Sequence, residues 1–91
     1  MEYGWSGRTT VYDPGLGKKG FARDLLLLRF RRLRLTQARF ADRFGLSFGA
    51  VKDQEQSRVA PSRAMKVLVA AIEMDPEFMA RAAAEASRRW G

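Results

Sequence analysis

The side chains able to do chemistry in this sequence are almost all cationic. Thirteen arginines and four lysines stand against ten carboxylates, giving a net charge of +7 and a pI near 10.8. Arginine's planar fork suits phosphates and guanine edges. There is no cysteine, which removes disulfides, thiol catalysis and thiolate metal sites together. There is no histidine either, so the commonest general base and metal ligand is missing. Neither a hydrolytic triad nor a zinc site can be assembled from this inventory, and the chain reads as a non-enzyme without cofactor. The bases are unevenly spread. Residues 1–35 carry eight against three acids, residues 36–60 four against three, and residues 61–91 five against four. A localised basic patch attracts nucleic acid; solubility alone accounts for a basic protein equally well.

The most informative run is residues 35–61, LTQARFADRFGLSFGAVKDQEQSRVAP. Thr36 can cap a helix from Gln37 to Phe44, with Phe40, Ala41 and Phe44 inward. Gly45 can end that helix in the left-handed conformation. Ser47 can cap the next helix, which runs to about Gln56. Ala41 is small enough to let the two helices approach, and Val51 supplies the apolar lock between them. This is the spacing of a helix-turn-helix, whose second helix enters the DNA major groove. Its outward residues are Phe48, Gly49, Lys52 and Asp53. Lys52 can reach guanine O6 and N7, Asp53 can accept from cytosine N4, and Phe48 can touch a thymine methyl. Asp53 also brings a negative charge towards phosphate, which costs affinity.

The same stretch resembles the Xre/Cro-type repressors and, within them, the HigA-type antitoxins. The residues that carry the resemblance are Leu35-Thr36-Gln37-Ala38, Phe40-Ala41, Phe44-Gly45, Ser47, Val51, Glu55 and Pro61. A tail in which an apolar helix is followed by Asp75-Pro76-Glu77 and a further helix adds to it, so that about residues 24–80 are covered. The resemblance implies a lambda-repressor-like bundle acting as a cytoplasmic, nucleoid-associated homodimer on double-stranded operator DNA. It also implies a partner toxin, an RNase of the RelE/HigB-like class, neutralised by a chain that represses its own operon. DNA contacts would come from Gln37, Arg39, Arg43, Ser47, Phe48, Gly49, Lys52, Asp53 and Arg58. For Gln37 the plainer reading is a helix start, and for Arg39, Arg43 and Arg58 it is solvated surface charge.

The sequence departs from the family pattern at four positions. Phe30 stands where a base often pairs with the residue at 55, so Glu55 needs another partner, a neighbouring Arg or solvent. Arg34 and Ser57 stand where the family has Gly, and Gln54 where it has an aromatic or Leu. Gln54, Ser57, Asp53 and the weakly basic 36–60 segment favour a second class of function: a helical protein-interaction module that has lost specific DNA binding. A third is RNA binding by a basic, aromatic arm.

The elements that must position these residues make one small all-α domain of five helices, since 91 residues cannot hold more than one core of ordinary size. Residues 1–20 read as an irregular arm. Five glycines and Pro14 disfavour helix there, while Tyr3, Trp5 and Tyr12 need a surface on which to bury their rings. Gly15-Leu-Gly17-Lys-Lys-Gly20 matches a dinucleotide signature literally, but no buried strand precedes it. The first helix, about Ala22 to Arg34, puts Leu26, Phe30 and Leu33 on one face, widened by Leu25 and Leu28, with Arg29 and Arg32 along the border. Beyond the central run, Ser62 can cap a fourth helix, Arg63 to Met74, that is apolar almost all round and so buried on more than one side. Asp75-Pro76 starts the last, to about Trp90, with Phe78, Met79, Ala82, Ala83, Ala86 and Trp90 as its apolar side. Val67, Val69, Met74 and Met79 are the candidates for a dimer interface. The longest apolar runs, Leu25–Leu28 and Val67–Ile72, are too short to span a bilayer. No signal peptide is visible at the amino end.

Overall fold

The structure, a computed structural model, describes residues 20–91. The arm with Tyr3, Trp5 and Tyr12, and all of the glycine-rich string except Gly20, lie outside the described residues. Among those described, every regular element is helical. α1 spans Gly20–Leu27 and runs on into a π-helical turn, Leu28–Arg32. α2 is Gln37–Phe44, α3 Phe48–Glu55, α4 Arg63–Met74 and α5 Pro76–Trp90. The last four match the lengths expected from their capping residues.

Each of those four starts on a side chain that accepts from an orphan backbone N–H. Thr36 accepts from Arg39, Ser47 from Ala50, Ser62 from Met65 and Asp75 from Phe78, with Pro76 at the first turn of α5. Gly45 closes α2 at φ 74°, and the Leu46 N–H reaches back to the Ala41 carbonyl at 2.8 Å. This left-handed exit turns the chain into α3 within three residues.

Phe40, Leu25, Ile72 and Val51 are the largest fully buried side chains. Around them Leu28, Ala41, Phe44 and Val69 complete one core, to which Leu33, Leu35, Leu46, Met65, Leu68 and Met79 add their inner sides. Phe40 and Phe44 meet at 4.9 Å with rings tilted by 59°, within the range aromatic pairs prefer. α3 packs on α1 and α2, while α5 packs on α2 and α4.

Three sequence expectations are corrected by this packing. Phe30 is 46% exposed, whereas Arg29 is buried. Arg29 lies one α-turn after Leu25, so the inward face runs Ala22, Leu25, Leu26, Arg29; the charge of Arg29 hid it from a reading by apolar spacing. Past Leu28 the turn widens, with the Leu33 N–H donating to the Leu28 carbonyl five residues back. α4 buries only Val69 and Ile72, leaving Val67 and Met74 open, because only α5 packs closely along it. The apolar residues of α5 divide between two faces. Met79 and Ala80 meet the core, while Phe78 and Trp90 point to solvent. Residues four apart drift by about 40° per step around a helix, so a stripe of that spacing winds off the core face.

Candidate functional site

α3 is anchored from behind by Val51, Gln54 and Glu55, all buried. Glu55 finds its cation in Arg29. Nε donates to Oε2 at 2.6 Å and Nη2 to Oε1 at 2.9 Å, a forked pair with side chains 10% and 3% exposed. Arg29 also donates through Nη1 to the Leu35 carbonyl at 2.8 Å, and the Gln37 amide donates to Glu55 Oε1 at 3.0 Å. The end of α1, the start of α2 and the end of α3 are therefore tied by one buried polar cluster. Such a pair adds little net stability over an apolar substitute, but it fixes geometry, and losing one partner costs about 3–5 kcal/mol. The partner that the sequence left open for Glu55 is thus the neighbouring Arg.

With its back held, α3 turns Phe48, Gly49 and parts of Lys52 and Asp53 outward. The Lys52 ammonium lies 5.1 Å from the Phe48 ring centroid, a cation–π contact that sets the two side by side. Gly49 has normal helical backbone, and a Cβ added there meets nothing within 4 Å. Neither fold nor packing requires glycine at that position. Asp53 is paired with Arg58 at 3.5 Å, and the Arg58 N–H closes on the Asp53 carbonyl. The Asp53 charge is thereby partly offset at the exit of α3.

The expected site residues fall into two groups. Ser47, Phe48, Gly49, Lys52, Asp53 and Arg58 are brought together along α3 and its ends. Gln37 is drawn inward to Glu55, and the exposed Arg43 reaches across to Glu77 of α5 at 3.1 Å. Arg39 stays exposed on α2, its backbone N–H held by Thr36. Arg29 is the residue that sequence reasoning left on the border; the signal available was Glu55, a carboxylate inside a motif that had to face a base. Among the described residues no cluster of three or more His, Cys, Asp or Glu side chains is placed to hold a metal ion. No described helix is long and apolar enough to cross a membrane. Comparison with protein-family models, with curated proteins and with solved structures finds no significant match.

Proposed function

We propose that this chain is a sequence-specific DNA-binding regulator that works as a homodimer, with α3 as the reading helix. The observation that carries this reading is the Phe48–Gly49–Lys52 face. A helix fastened on one side by a buried ion pair presents a cation, a ring and a gap on the other. Lys52 supplies a donor for guanine, Phe48 an apolar surface for a thymine methyl, and Gly49 room for backbone to approach phosphate or base. The +7 net charge supplies sequence-independent attraction. Within this reading the resemblance to HigA-type antitoxins favours autorepression of an operon and neutralisation of an RNase toxin. A regulator of that kind works in the cytoplasm, at the nucleoid.

The test is retention of duplex DNA across a salt series, with sites selected from a random pool set against random sequence. Affinity is expected to fall steeply as salt rises, because phosphate contacts release counterions. Lys52→Ala is expected to weaken selected sites more than random DNA. Equal losses on both would remove base reading by α3 and leave the protein-interaction reading in its place.

A further inference from the structure

Arg34 joins the π-helical turn to α2 and sits at φ 57°, a left-handed conformation that glycine adopts freely and a residue with a Cβ adopts at a cost. No contact of its side chain offsets that cost. Arg34 is exposed and has no hydrogen-bond or ion-pair partner among the described residues. Two nearby arginines are engaged: Arg32 donates to the Glu73 carbonyl at 2.6 Å, and Arg29 is buried on Glu55. Backbone strain of this kind persists where the surroundings over-determine it, and it collects at ligand clamps. Ser57 has the same φ without a charged group, so strain alone assigns nothing. Position and charge do. We infer that Arg34 grips a phosphate of duplex DNA where the backbone passes the carboxyl end of α3. The proposal rests on the DNA reading above and adds to it a contact outside the face of α3.

The turn that carries Arg34 is pinned on both sides. Before it, the Leu33 N–H donates to the Leu28 carbonyl at 2.9 Å; after it, the Leu35 N–H donates to the Arg29 carbonyl at 3.0 Å. The Leu35 carbonyl accepts from Arg29 Nη1, and the same guanidinium forks onto Glu55, the last residue of α3. One buried side chain therefore holds Arg34 beside the carboxyl end of the reading helix. The eight residues of α3 span about 12 Å, close to the width of the major groove. With Phe48, Gly49 and Lys52 on the bases, a sugar–phosphate strand runs near that end. Two exposed arginines stand there, Arg34 and Arg58. Arg58 is paired with Asp53 at 3.5 Å, so the free cation is Arg34. A guanidinium forks onto phosphate oxygens as it does onto a carboxylate. Such a contact positions the helix without reading sequence.

Affinity of the full chain for duplex DNA across a salt series tests this, with a selected site set against random sequence. Arg34→Asn removes the charge and keeps a residue that tolerates the left-handed backbone. It is expected to make the salt dependence shallower by about 0.9 in log K per decade of salt, a loss of about eightfold at 0.1 M that vanishes near 1 M. The loss is expected to be equal on selected and random DNA, unlike that of Lys52→Ala, because phosphate carries no sequence. Arg23→Ala, which removes another exposed and unpaired charge from α1, is expected to leave the slope unchanged. Arg34→Gly is expected to lose affinity as Arg34→Asn does while its melting temperature rises, since glycine relieves the backbone. A slope untouched by Arg34→Asn, an equal change from Arg23→Ala, or a lower melting temperature for Arg34→Gly each overturns the proposal. A loss confined to selected sites makes Arg34 a base reader and overturns it as well. Where Lys52→Ala stays selective in those cases, the DNA reading stands and the Arg34 contact alone falls. A wild type that binds no duplex removes both.

Discussion

α3 and α5 solve the problem of being a helix in opposite ways. α3 has eight residues, too few to be stable alone, and buries three of them, one a carboxylate. α5 has fifteen, including five alanines between Pro76 and Trp90, and buries none.

 α3 is therefore made by its surroundings, while α5 is made by its own propensity, its Asp75 cap and the Glu85–Arg89 pair. The contrast predicts that changes behind α3 unfold the protein, and that changes on the open side of α5 leave it folded.

The largest effect is expected at Val51, which is 1% exposed between α2 and α3. Val51→Asp puts an unpaired charge into the core and is expected to cost several kcal/mol, abolishing a cooperative melt. Next comes the buried pair. Glu55→Ala leaves the Arg29 guanidinium without its carboxylate and is expected to cost about 3–5 kcal/mol. Replacing both together, Arg29→Met with Glu55→Leu, is expected to recover most of that loss. A double variant as unstable as Glu55→Ala would mean that the pair holds α3 through more than satisfied charge. A full loss of structure on Ala86→Arg would break the comparison from the other side.

A smaller effect separates folding from binding at the front of α3. Gly49→Ala meets nothing in the protein and improves helix propensity, so stability is expected to rise by up to about 1 kcal/mol. Affinity for selected DNA is expected to fall in the same variant, because the methyl group fills the gap in the reading face. A rise in melting temperature with no change in affinity would leave that glycine without a role in recognition.

Much of this arrangement is legible in the sequence, because α2, α3, α4 and α5 begin at capping residues whose chemistry is local. Thr36, Gly45, Ser47, Ser62 and Asp75-Pro76 each act on a backbone a few residues away. What the sequence hides is set by contacts distant along the chain. Arg29 is inward because Glu55, twenty-six residues on, is there to meet it. Gln37 faces that same carboxylate rather than standing free at the start of α2. The outward turn of Phe78 and Trp90 depends on which side of α5 the core takes, and an apolar stripe alone does not say.

The smallest expected effects lie at two turns. Arg34 and Ser57 both sit at φ 57°, the left-handed region, one after the π-turn and one after α3. These are the two positions at which the sequence has Arg and Ser in place of the glycine of the pattern it resembles. For a residue with a Cβ that conformation costs about 1–2 kcal/mol. Glycine removes the clash but adds freedom to the unfolded chain, which takes back about 0.4–1 kcal/mol. Ser57→Gly is therefore expected to stabilise by up to about 1 kcal/mol, raising the melting temperature by about 4–8 °C per kcal/mol in a domain of this size. Ser57 is exposed, and its backbone N–H already bonds the Gln54 carbonyl, so no side-chain contact is given up. Because the turn lies just beyond α3, the gain belongs to the helix that its surroundings make. An equal gain from Ala84→Gly, an exposed site in α5, would contradict the comparison outright. There the substitution is expected to lose about 1 kcal/mol, since α5 depends on its own propensity.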